Sequence, residues 1–201
     1  MSVVENILKS KAKLYLSLTG GGFGSIPMLT ENGGASSVFL GARIPYSSEE
    51  LRTVVGCGSA AKPVSAMTAI LLANYPYTQP IVDTLPSIVN SDEQDNAAYC
   101  VSIGMTCSLR KNDERTDRKH TIFLAVSCLH RDNKKVVDNV YVELKKTRTR
   151  KEEEDLTSKL VLAMADCRMN LTKSYPLQNK AILKWIGLTL EDVFTWSLDV
   201  S

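Results

Sequence analysis

One short segment constrains this chain more than any other: Leu14-Tyr15-Leu16-Ser17-Leu18, running directly into Thr19-Gly20-Gly21-Gly22. A short apolar run that stops at glycines predicts a buried strand ending in a sharp turn. The stretch Gly20-Gly-Gly-Phe-Gly-Ser-Ile-Pro27 cannot be a helix interior. Each Gly there would cost about 1 kcal/mol and a Pro about 3 kcal/mol. A helix can begin at Pro27, because the first turn tolerates a residue without an N–H. A serine at the end of such a strand has two physical uses. Its hydroxyl can act as a nucleophile, and the N–H groups of the following turn can cradle an oxyanion or a phosphate. The turn is not a P-loop, since no Gly-Lys-Ser/Thr follows. On its own, such a turn more often only connects two elements.

The rest of the chain alternates between the two periodicities. Residues 3–12 place Val3, Val4, Ile7 and Leu8 at helical spacing. Val38 to Ile44 reads as a second strand ended by Pro45. Ser47-Ser48-Glu49-Glu50 then carries a helix-start signature. Residues 59–74 read as a buried helix, and 76–96, with three prolines, as an irregular excursion. Tyr99–Thr106, Thr121–Leu129 and Val136–Leu144 read as strands, with a charged loop over 108–120. Glu152 to Cys167 is the clearest helix, with Leu156, Leu160, Ala163, Met164 and Cys167 on one face and acids at its positive end. The last residues, 171–201, contain Trp185, Phe194 and Trp196, too apolar for a free tail, and read as a helical extension packed on the domain 1–170 or on a partner. Such alternation predicts a layered α/β sheet.

Composition excludes several function classes. The 24 basic and 22 acidic side chains leave a net charge of only +2, so there is no global pull toward nucleic acid or an anionic membrane. No apolar run approaches the ~20 residues that span a bilayer. The segment MSVVENILKSKAK has no long apolar stretch, which predicts no secretory signal and a cytoplasmic location. The five cysteines are scattered without a C-x-x-C pair, and with only two histidines no metal-ligand spacing appears. No metal or cofactor is expected. His120 and His130 read as surface residues, and the basic run Lys145 to Lys151 as a solvated junction.

The order of motifs narrows the class further. After Ser17-Leu-Thr19-Gly20-Gly21 come Gly34-Ala35-Ser36 before a strand, Tyr46-Ser47, Ser102-Ile103-Gly104 on a strand, and Arg150 at a helix start. Over roughly residues 14–167 this order resembles the C-terminal domain of the CinA family, the nicotinamide mononucleotide amidases. The resemblance implies a three-layer α/β/α sandwich with a mixed sheet, a homo-oligomer, and a nucleotide-type ligand. It implies Ser17 as nucleophile with Tyr46 beside it. It also implies Thr19, Gly20, Gly21 and Gly22 with Arg150 around a phosphate.

The departures fall at the polar partners of that serine. Leu16 stands where the family has an acid, Leu51 where it has a lysine, and Ile103 where it has a threonine. Arg150 lacks the Gly-Asp before it. A serine without a base is a weak nucleophile, and a positioned general base is worth about 10²–10⁴ in rate. Lys62 is the one substitute base the neighbouring helix offers. The expectation is therefore a divergent CinA-like domain that binds a nucleotide or phosphate-type ligand, with amidase activity weak, altered or lost. An active amidase converting nicotinamide mononucleotide to the acid and ammonia is the first alternative. A non-catalytic scaffold that oligomerises is the second.

Overall fold

The structure, a computed structural model, describes residues 2–56, 62–79, 98–111, 119–130, 135–144, 148–170, 180–189 and 193–200. For residues 98, 99, 130, 135, 136 and 193–200 it describes the backbone alone. The elements in chain order are α1 (Val3–Leu8), β1 (Lys13–Thr19), α2 (Ser25–Thr30), β2 (Phe39–Arg43), α3 (Ser48–Val55), α4 (Ala66–Asn74), β3 (Ala98–Ser108), β4 (His120–His130), β5 (Lys135–Leu144), α5 (Arg150–Met169), α6 (Lys180–Ile186) and β6 (Val193–Val200). Each helix start has a local cause. Ser2 and Glu5 form a capping box on α1, and Thr149 and Glu152 form another on α5. Ser47 and Ser65 cap α3 and α4. Pro27 falls in the first turn of α2, where its missing N–H costs no hydrogen bond.

The sheet order is β2-β1-β3-β4-β5-β6. β1 lies parallel to both β2 and β3, and the remaining pairs are antiparallel. This is the expected mixed sheet with helices on both faces. The side-chain period of two divides β1 cleanly. Leu14, Leu16 and Leu18 face the main core, beside Val101, Ile103 and Met105 of β3 and against α5. Tyr15, Ser17 and Thr19 face the other way, beside Ser102, Gly104 and Thr106. That second face is covered by α4, whose Ala69 and Ala73 pack on Ala125 and Val137.

α5 is buried almost all round, with the sheet beneath it and α1, α2 and α6 alongside. Its sequence alone suggested a single apolar face, because a neighbouring helix leaves little trace in the sequence of the helix it covers. The C-terminal segment also differs from expectation. It supplies the helix α6 but then a strand, β6, that pairs antiparallel with β5 in register Asn139 with Trp196. It is thus not a wholly helical extension. Alternating apolar residues in Val193–Val200 fit a sheet edge as well as a helix face, and only the free edge of β5 decides between them. The expected 59–74 helix begins only at Ala66, since residues 62–65 are not helical and the Ser65 side chain caps the helix instead. Residues 59–61, most of the 76–96 excursion and most of the 108–120 loop lie outside the described residues, as do Cys57 and the side chains of His130, Phe194 and Trp196. No helix among the described residues is long and apolar enough to cross a membrane.

The segment after α4 is fastened to the sheet by Tyr77. Its hydroxyl lies 2.8 Å from the Ser127 carbonyl and 3.2 Å from the Cys100 carbonyl, spanning β4 and β3. Burial pushes its pKa well up. A Tyr77→Phe variant removes that donor and is expected to lose about 1–2 kcal/mol in urea denaturation. A loss under a few tenths would show that the carbonyls need no donor there.

Candidate functional site

The strand order turns at β1. The chain crosses from β1 to β2 on one side and returns past it to β3 on the other. In such sheets, ligands bind beyond the carboxyl ends of the strands at that point. Here β1 ends at Thr19, whose register neighbour is Thr106, two residues before the end of β3. Two hydroxyls close the mouth. Thr19 donates to the Pro45 carbonyl at 2.9 Å, and Thr106 donates to the Pro63 carbonyl at 2.6 Å.

Gly20 must be glycine. Its φ is +84°, and a Cβ would lie 2.2 Å from the Cys107 carbonyl oxygen. Gly22 has φ +77° and sits over Met105. The turn thus presents successive N–H groups inward, as an anion-binding nest does. That nest is filled by a side chain of the protein itself. The Glu154 carboxylate accepts from Gly22 N–H at 3.0 Å, Phe23 N–H at 2.7 Å and Gly24 N–H at 3.3 Å. Arg150, one helical turn earlier, donates to the Gly20 carbonyl at 3.0 Å. Tyr46 is 71% exposed, and its ring centroid lies 6.0 Å from that of Phe23.

Ser17 is placed differently from the sequence expectation. It lies inside β1, two residues before the end, and is 0% exposed. Its Oγ has no hydrogen-bond partner. Its register neighbour Gly104 touches the backbone of α4, so Ser17 sits on a face sealed by that helix. Leu51 is buried with Val54, Val55 and Leu72 in a small apolar core between α3 and α4. Leu16 and Ile103 are fully buried in the main core on the opposite face. Lys62 is exposed. The structure therefore gathers Thr19, Gly20, Gly21, Gly22, Tyr46 and Arg150 around one loop and leaves Ser17 beneath it, without a base among the described residues within hydrogen-bonding distance of its Oγ.

Two cysteines bear on the chemistry. Cys107 lies against the loop, its Sγ 3.7 Å from the Thr19 carbonyl. Burial pushes its thiol far above the ordinary range, with Glu154 adding to the shift and Arg150 opposing it. Burial likewise raises Cys100 to about 11. Neither is a poised nucleophile. Among the described residues, no group of three His, Cys, Asp or Glu side chains is arranged to hold a metal.

Glu153, Glu154 and His120 are the residues that sequence reasoning passed over. His120 is buried rather than on the surface, because Glu153 from α5 reaches it, with His120 Nδ1 2.6 Å from Glu153 Oε1. The other Glu153 oxygen accepts from the Arg110 N–H. A run of four acidic residues, Glu152 to Asp155, near a helix start resembles any dipole-favoured acidic turn, and only the docking of α5 against the loop distinguishes its members. Trp185, expected to pack on the domain or on a partner, packs partly buried on the main core, with the Lys159 ammonium 5.8 Å from its ring.

Taken together, a mixed sheet between two helical layers, with a glycine turn at its strand-order reversal, defines a three-layer α/β/α domain. No protein-family model matches the chain, and no curated protein matches it significantly. Solved structures do. The competence/damage inducible protein CihA from Agrobacterium tumefaciens superposes with TM-score 0.54 at 16% identity, covering 84% of this chain and 90% of that one. A competence-damaged protein (CinA) superfamily protein from Klebsiella pneumoniae gives TM-score 0.55 at 11% identity, covering 85% and 94%. The competence damage-inducible protein A (ComA) from Klebsiella pneumoniae subsp. pneumoniae gives 0.52 at 11%, covering 84% and 95%. The chain has the fold of the CinA superfamily, as its motif order suggests.

Proposed function

We propose that this chain is a CinA-fold protein that binds rather than turns over its ligand, amide hydrolysis having been lost. The burial of Ser17 carries this reading. Its hydroxyl is fully enclosed and unpartnered. Leu51, at the position of the family lysine, is an apolar core residue and supplies no base. Nucleophilic attack needs the hydroxyl within hydrogen-bond reach of a base and open to a carbonyl, and Ser17 meets neither condition. What survives is the loop with its convergent N–H groups, Arg150 behind it and Tyr46 at its rim. Those are binding features, suited to a small oxyanion or the phosphate of a nucleotide.

The test is direct. Purified protein incubated with nicotinamide mononucleotide is expected to release no ammonia above background, and Ser17→Ala to behave identically. Release that disappears in Ser17→Ala would overturn the reading. Stability gives an independent check. A buried unpaired hydroxyl carries a desolvation penalty of about 1–3 kcal/mol. Ser17→Ala is therefore expected to be about 1 kcal/mol more stable in chemical denaturation, where a serine kept in working hydrogen bonds would lose stability on truncation.

A further inference from the structure

The hydrogen bonds at the glycine loop are more than a helix end needs. The first turn of α5 is already capped, since Thr149 and Glu152 satisfy each other's N–H groups. Glu154 therefore has no capping task on its own helix. It reaches instead across 130 residues of sequence to accept from three consecutive backbone N–H groups of the loop. Its two oxygens divide them, Oε2 to Gly22 and Oε1 to Phe23 and Gly24.

The loop is shaped around that carboxylate. A Cβ on Gly21 would lie 2.7 Å from Oε2, so any side chain there would meet the anion. Gly24 and Gly22 pack as closely on Ser158 and Met105 of the core. Arg150 pins the loop's first carbonyl from the same face of α5. Glu154 is only half-buried, so solvent reaches this arrangement. Convergent N–H donors with a cation one turn away form an oxyanion receptor in which the protein supplies its own oxyanion.

We propose that the Gly20–Gly24 loop is a small-oxyanion site and that Glu154 is its tethered resident ligand, which an incoming carboxylate or phosphate must displace. This rests on the binding reading above, and it gives that site a built-in competitor. A tethered group acts as a ligand at an effective concentration on the order of mM or more. Weak anions are therefore excluded from the native loop. Only a ligand with further contacts, for example to the exposed Tyr46, outcompetes Glu154. Swinging a glutamate side chain aside needs no change in α5, so the site opens without unfolding.

The experiment converts the tethered anion into a free one. In Glu154→Ala the three N–H groups lose their acceptor, and the melting temperature is expected to fall. Sodium acetate or sodium phosphate should restore it saturably, by about 4 °C or more at saturation, relative to sodium chloride at equal ionic strength. Wild type should show no such anion-specific gain. Acetate response alone assigns the site to carboxylates, and phosphate response alone to phosphoryl groups. If Glu154→Ala does not fold, Glu154→Gln serves, because a neutral amide holds the N–H groups less well and yields to the same anions. Absence of anion-specific stabilisation in the folded variant overturns the proposal, as does an equal response in wild type, which would place the binding elsewhere. The readout is occupancy, so ammonia release in the previous test would sink the loss of hydrolysis and leave this site untouched.

Discussion

Replacing His120 with alanine is expected to lower stability by about 3–5 kcal/mol, the cost of leaving a buried carboxylate short of its partner. Glu153 is 0% exposed. It has two anchors, the His120 ring at 2.6 Å and the Arg110 N–H. Its helix is packed between the sheet and three other helices, so the carboxylate cannot turn to water without moving α5. Removing the imidazole leaves one oxygen in a cavity of low polarity. Against a total stability of about 5–15 kcal/mol, that loss is about a fifth or more. Urea denaturation of His120→Ala measures it. His120→Gln, whose amide can still donate to the carboxylate, should recover part of the loss. A cost below about 1 kcal/mol would mean that water replaces the imidazole and that the pair is ornamental. The same contact ties the first turn of α5 to β4, beside Arg150 and Glu154 where they meet the glycine loop.

Gly104→Ala is the second large effect, and its cause is steric. A Cβ at Gly104 would lie 2.1 Å from both the Ala69 carbonyl oxygen and the Ala73 nitrogen. These are backbone atoms of α4, so no rotamer change relieves the overlap. The helix must lift off the sheet by more than 1 Å if contacts are to return to ordinary van der Waals range. Overpacking usually costs about 1–3 kcal/mol, and a clash with rigid backbone belongs at or above the top of that range, about 3 kcal/mol or more. Chemical denaturation checks the magnitude. The variant has a second consequence. Lifting α4 uncovers the face that seals Ser17, so amide exchange should accelerate in the strands beneath that helix, β3 and β4 together with β1. An unchanged stability would show that α4 does not sit on Gly104 as described.

The two faces of β1 show how much was legible in the sequence. The Leu14, Leu16, Leu18 alternation and the glycines after Thr19 are local patterns, so strand and turn follow from period and backbone freedom alone. The Ser47 cap is equally local, and it appears where the spacing puts it. The accessibility of Ser17 is not local. Whether a serine near a strand end is open or sealed depends on what lies over the next strand. Here Gly104 lets α4 come close enough to close that face. The spacing 102–104 reads as a strand either way.

Glu154 makes the same point for the candidate site. Its neighbours in sequence mark it as one of several acids favoured at a helix start. Its partners, Gly22, Phe23 and Gly24, are about 130 residues away. The tail differs for a related reason, since Val193–Val200 is a strand only because β5 offers it an unpaired edge.

By itself, then, the chain's sequence determined the elements up to α5 and their order. These rest on periodicity, caps and breakers that act within a few residues, and their order carried the resemblance to the CinA fold. Tertiary structure alone decided which groups at the strand ends are available. It enclosed Ser17 under α4, buried His120 on Glu153, and set Glu154 in the anion nest. The physical reason is that burial and hydrogen-bond occupancy belong to pairs of surfaces, and the surfaces that meet here come from segments far apart in the chain.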